Sequence, residues 1–262
     1  MSRSGTNLRA LRLTWRAAWL EASANRRSFW FQFGVMIVND IVWVVFWALL
    51  FNRVGDLRGW GFDQIVLLFA VLTTAAGIVL GLLNNVRRIG ELASNGGLDS
   101  VLALPTPPLL TLMTRRVETV NVGDLAFGVA LFLILGDPTP IRFVIFVFGV
   151  VCATLVISGF LIIMGSASFF VSRNEAGELG FHAILLFANY PVDIFTGYTR
   201  LFLYGVVPAG FVSTVPARLI GDFSLGWAGV LSAVALATAG LGWLAFTVGL
   251  RRYTSGAVWT PA

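Results

Sequence analysis

The side chains able to do chemistry in this sequence are few, and their types exclude more than they permit. One histidine, His182, and one cysteine, Cys152, stand among 262 residues, and all 18 basic residues are arginine. Without lysine there is no Schiff-base nucleophile and no phosphate-cradling GxxxxGK[ST] loop. One histidine and one cysteine cannot assemble a zinc cluster of the usual ligands, and a lone cysteine has no disulfide partner in the chain. What remains is carboxylate and guanidinium chemistry in an apolar background. Asp40, in "VNDIVW", sits at the centre of an apolar run. Glu118, Asn121 and Asp124 recur every three residues and so share one helix face. Pro191 is followed by Asp193 and Arg200, which are separated by about two helical turns. A carboxylate in such surroundings must be paired, hydrated or protonated. For Asp40 two readings stand open: a water- or substrate-lined surface, or, together with Asn39, a hydrogen-bonding contact to a neighbouring helix. The strip on 118–124 must face protein or water, by helix packing or by substrate contact.

The elements that position these groups follow from hydropathy. With 57% hydrophobic and 12% charged residues, and a mean hydropathy of +0.85, the chain reads as an integral membrane protein. An ionised group at mid-bilayer costs at least about 2.5 kcal/mol, so uncharged intervals locate the spans. Residues 64–86, 143–172 and 223–250 give uncharged runs of 23, 30 and 28 residues, each above the roughly 20 needed to cross. Residues 28–52 also cross, with Asp40 at the centre, and 117–135 cross with the polar strip near the start. After Glu178 the chain is apolar to Asp193 but contains Pro191, which predicts a discontinuous helix or a proline kink. Six spans result, the fifth irregular.

Arginine bias sets the orientation. With the N-terminus inside, 13 of the 18 arginines fall on inside segments, so both termini are expected in the cytoplasm. The net charge of +5 then follows from topology and calls for no nucleic acid. A secretory signal is not expected, because the first apolar stretch starts after about 27 residues and is too long for an h-region. Leu8, Leu11, Trp15 and Trp19 at helical spacing, beside Arg9, Arg12 and Arg16, predict an amphipathic helix over 1–27 lying on the membrane surface. His182 follows Glu178 by four residues, a local hydrogen-bond spacing. The sequence has no internal repeat and no soluble domain; 1–262 reads as one transmembrane unit. All-arginine usage points to a GC-rich, bacterial source.

The stretch "NNVRRIGELASNGGLDSVLALPTPP", residues 84–108, joins the second and third spans on the inside. "NNVRRIGELAS" continues a helix beyond the membrane, and Asn95, Gly96 and Gly97 can stop it. "LDSVLALP" restarts with Asp99 as a possible cap and Leu98, Val101, Leu102 and Leu104 apolar, and Pro105, Pro107 and Pro108 close it. Such a helix needs something to cover its apolar face, either a partner or lipid.

With "NYPVDIFTG" at 189–197 and "RRYTSGAV" at 251–258, these features give a chain that resembles the type-2 ABC transporter permeases, in particular the small exporter-like group. The resemblance implies an all-α membrane fold of six helices with a coupling helix between spans 2 and 3. It implies docking of Arg87, Arg88, Glu91, Leu98, Asp99 and Leu102 on a separate ATPase pair, with Glu175 and Glu178 as a second contact. The helix over 1–27 would lie beside them, and 197–222 would be a re-entrant extracellular hairpin. Asp40, Glu118, Asn121, Asp124, Tyr190, Pro191, Asp193 and Arg200 would line the pathway or a permease–permease interface. The chain itself would catalyse nothing: ATP and magnesium would sit on the partner, a second permease, identical or related, would complete a dimer in the bacterial cytoplasmic membrane, and 22 phenylalanines suit an apolar or amphipathic cargo. The competing expectation is a proton- or ion-coupled secondary transporter with Asp40 and Asp193 as relay carboxylates; for an intramembrane enzyme, one histidine, one cysteine and no lysine make most catalytic sets impossible.

Overall fold

The computed structural model describes residues 3–170 and 176–253, with side chains from residue 9. Among the described residues the fold is helical, and pairing of extended backbone is confined to one bridge between Leu57 and Trp60. Helix α1 (Arg3–Ser23) precedes α2 (Arg26–Val54), which begins where the Asn25 side chain accepts from Ser28 N–H at 3.2 Å. It ends at Gly55, whose φ of +76° a side chain would resist. Next come α3 (Phe62–Ala76), prolonged by a π-helical turn over Gly77–Leu82, and then α4 (Ile89–Ser94), α5 (Asp99–Leu102) and α6 (Pro108–Thr114). The second half consists of α7 (Thr119–Leu135), α8 (Pro140–Ser166), α9 (Ala176–Ala188), α10 (Gly197–Gly205), α11 (Val215–Gly221) and α12 (Leu225–Leu250).

Four of these elements are long and apolar enough to cross a membrane: α2, α3 with its π turn, α8 and α12. The number reaches six if α6–α7, bent by 85°, and α10 with Gly210–Gly221, a π turn running into α11, bent by 72°, each count as one span. The core is α3, 89% of whose membrane stretch is buried within the chain, followed by α8 at 67%; α2 at 11% and α12 at 22% are peripheral. Small residues let the backbones of this core approach closely. Gly77 and Gly81 lie against Leu125 and the Asn121–Val122 peptide of α7, Gly128 of α7 lies against Thr73 and Thr74, and Gly159 of α8 lies against Thr238 of α12.

The bundle has two functional ends. One gathers 55–61, 136–139 and 191–224; Arg58 Nη1 donates to the Ile194 carbonyl at 2.9 Å there, and Arg218 stacks over Trp60. The other gathers α1, residues 83–118, the end of α8 and residues 251–253. Here α1 packs on α6, with Ala18 buried and Arg9, Arg12 and Arg16 exposed.

Several sequence expectations are corrected locally. Residues 84–94 are not one continued helix: a 3-10 turn over Asn84–Arg88 intervenes, because both asparagine side chains are drawn to other segments. Asn84 Nδ2 donates to Glu118 Oε2 at 3.2 Å, and Asn85 Nδ2 donates to the Leu112 carbonyl at 3.0 Å. The stop at 95–97 is formed as expected, with Gly96 at φ +76° and Leu98 N–H reaching back to the Leu92 carbonyl. Asp99 is not the cap of α5 but its first residue. Pro108 opens α6 at its first turn, where the missing N–H costs nothing, rather than closing α5. The fifth span is not a kinked single helix: α9 ends at Ala188, and the chain turns through Tyr190 and Pro191 into a 3-10 turn over Val192–Ile194. At 13 residues α9 is about 20 Å long, short of the hydrocarbon thickness.

Candidate functional site

At the end that carries residues 83–118, the short helix α5 presents two faces of different character. Leu98 and Val101 are buried in the bundle, at 1% and 3% exposure, whereas Leu102 and Leu104 stand out at 39% each. Burial removes Leu98 from the docking surface expected of it; spacing of three and four puts Leu98, Val101 and Leu102 on one side of the turn, and the core covers the first two while Leu102 lies at its exposed edge. The mount is stiffened on several sides. Tyr253 Oη donates to Asp99 Oδ1 at 2.9 Å, Arg115 Nη1 donates to Ser100 Oγ at 2.7 Å, and the hydroxyls of Thr106 and Thr111 meet at 2.6 Å. Arg88 grips Glu91 through two hydrogen bonds of 2.7 Å, which holds the Glu91 carboxyl below the usual carboxylate range. Arg87 is half-buried, with its guanidinium 5.2 Å from the Phe181 ring centre on α9. On that helix the exposed His182 and Glu178 pair at 3.2 Å, the local contact their spacing predicts. Glu175 lies outside the described residues.

Within the bundle, the polar strip on α7 is divided between two partners. Glu118 takes the Asn84 amide and an ion pair with Arg116 at 3.5 Å, so it belongs to the loop. Asp124, only 4% exposed, faces Asp40 of α2, 3% exposed, and the two carboxyl groups meet. Each is oriented by an amide of its own helix: Asn39 Nδ2 lies 3.5 Å from Asp40 Oδ1, and Asn121 Nδ2 lies 3.2 Å from Asp124 Oδ2. The remaining oxygens, Asp40 Oδ2 and Asp124 Oδ1, are buried without a hydrogen-bond donor. Both aspartates line a cavity of about 120 Å³ shared with Asn39, Asn189, Trp43 and Thr73. Asp40 thus contacts a neighbouring helix and lines a space.

At the opposite end Asp193, with 7% side-chain exposure, is clamped by two guanidiniums, Arg200 Nη2 at 2.8 Å and Arg218 Nη2 at 2.9 Å. Asp193 is thus ion-paired to both arginines at once. Arg218 was not singled out from the sequence, since 25 residues and a bent helix pair separate it from Asp193. Thr214 Oγ1 accepts from Val192 N–H at 2.9 Å, fixing the turn that follows Pro191 to the returning limb. Tyr190 packs edge-on against Trp47, ring centres 5.7 Å apart, and so joins α9 to α2. Among the described residues no group of three or more histidine, cysteine or acidic side chains is placed to hold a metal ion.

Apolar helices of crossing length, packed through glycine contacts and capped at both ends by polar loops, define a multi-pass membrane protein. The profile of the ABC-2 family transporter proteins matches residues 37–257, and the chain belongs to that family. It is the permease component of an ABC transporter, a membrane transport component whose family associates with an ABC ATPase. No curated protein and no solved structure matches it.

Proposed function

We propose that this chain is the permease of an ATP-driven exporter, working as a dimer of permeases with two separate ATPase subunits that bind ATP and magnesium. The observation that carries the reading is how α5 is mounted: Leu102, its last residue, and Leu104, just beyond it, stand exposed, while Leu98 and Val101 are locked into the core. A knob mounted in this way transmits force, because it cannot shift without moving the bundle behind it. In this reading the end with residues 83–118 is cytoplasmic, α5 and the Arg88–Glu91 clasp enter a groove of the ATPase, and Glu178, with Glu175, gives a second contact. Closure of the ATPase pair on ATP would then push α5 against the spans. The α10–α11 pair would form the extracellular re-entrant hairpin; its support is that α11 returns buried between α3 and α8 while α10 stays exposed. The peripheral α2 and α12 leave broad apolar faces for lipid and for the second permease.

The test is co-purification with an ABC ATPase encoded beside this chain. Leu102→Asp with Leu104→Asp should abolish the complex while the permease stays monodisperse in detergent. A complex that survives both substitutions rejects docking through α5.

A further inference from the structure

We propose that the cavity between Asp40 and Asp124 recognises the ammonium head of an amphipathic organic cation, a cargo class that rests on the transport reading above. Both carboxyl groups are more than nine-tenths buried, each is held by a neighbouring amide, each keeps one oxygen without a hydrogen-bond donor, and both residues line the same space. No arginine or histidine lines that space, so the charge complement must come from outside the chain. Two buried carboxyl groups without a basic partner require a cation or a shared proton.

The walls favour an organic cation over a metal ion. Calcium and magnesium seek six or more oxygen ligands, and the lining offers at most two unbonded carboxyl oxygens, two amide oxygens and the Thr73 hydroxyl. Trp43 and Phe69 are among the lining residues, and aromatic faces attract ammonium groups when desolvated. The volume of about 120 Å³ equals roughly four waters, enough for a substituted ammonium but not for the body of a cargo molecule. Met36, Leu72 and Leu185 border it, so an apolar tail continues along the wall, and the exposed Asn39 marks the mouth. Placement between α2, α3, α7 and α9 puts the head deep in the bundle, where a neutral analogue gains nothing from the carboxyl groups.

The full chain in phosphatidylcholine nanodiscs provides the test, with a dansylated primary alkylammonium as probe and its N-acetylated amide as the neutral control. Fluorescence anisotropy at pH 7 should show the ammonium binding at least tenfold more tightly than the amide. Asp40→Asn and Asp124→Asn should each erase that preference, Asp40→Glu should keep part of it, and Trp43→Leu should weaken the ammonium alone. Equal binding of the two probes by the unaltered chain overturns the proposal, as does a preference that survives both asparagine variants. Should one asparagine variant fail to fold, the other and Trp43→Leu carry the same comparison. The measurement needs no ATPase, so its failure is distinguishable from failure of docking at α5.

Discussion

The Tyr253 hydroxyl donates to Asp99 Oδ1 at 2.9 Å, linking the residue that follows the last helix to the first residue of the two-faced helix α5. Their separation of 154 residues makes this a bond between the ends of two distant segments. It lies at the surface, where a net hydrogen bond is worth about 1 kcal/mol or less. Tyr253→Phe should therefore lower thermal stability only slightly while raising hydrogen exchange in residues 98–104, which mass spectrometry would detect. Unchanged exchange there would show that α5 is held by its buried leucine and valine alone.

The Asp193 clamp should matter more. Asp193→Asn leaves Arg200 and Arg218 without their common carboxylate next to a largely buried site, and a loss of about 1–3 kcal/mol is expected, reduced from the fully buried case because both arginine side chains are half exposed. Arg200→Gln, which keeps the Arg218 contact, should cost less than Asp193→Asn. Equal melting temperatures for the two variants would contradict a shared clamp.

Glycine contacts in the core predict a sharp positional contrast. A Cβ on Gly128 would collide with the hydroxyls of Thr73 and Thr74 and the backbone of α3, whereas one on Gly240 meets nothing within 4 Å. Gly128→Ala should destabilise by about 1–3 kcal/mol through overpacking, and Gly240→Ala should be neutral or slightly stabilising as a better helix former. Thermal unfolding of the two variants in one detergent makes the comparison.

The Arg88–Glu91 clasp carries a defined pH dependence. The folded Glu91 carboxyl titrates below its ordinary value of 4.5, so the clasp contributes fully above that value and is lost as pH falls through the lower folded one. Between pH 6 and 8 the effect of Glu91→Gln on stability should be constant and at most about 1 kcal/mol, as for exposed ion pairs. A change in that effect across this window would mean that another group titrates with it.

Much of the fold was legible because charge is excluded from hydrocarbon. The uncharged intervals 64–86, 143–172 and 223–250 correspond to α3 with its π turn, α8 with its last turn, and α12, within a few residues at each end. Helix stops governed by local chemistry were legible too, as at Gly96. Legibility ended where a side chain chose between distant partners. Periodicity put Glu118 and Asp124 on one face, but only packing could send the first to Asn84 and the second to Asp40. Leu98 and Leu102 are alike in hydropathy, and which of them the core takes depends on how α5 is mounted. Asn189 and Thr73, which border the carboxyl cavity, carry no sequence signal beyond being polar in apolar segments.

Helices enter a membrane in the order in which they are made, and the contrast between α2 and α3 bears on that order. With 11% of its membrane stretch buried, α2 is dressed for lipid on nearly its whole circumference and can wait there alone. Its one discomfort is Asp40, whose partner Asp124 emerges from the ribosome only after α3 and the whole of the 83–118 loop. Assembly of α7 against α2 therefore brings a second acid to the first, and the pair must take up a proton or a cation before the two helices can close on each other.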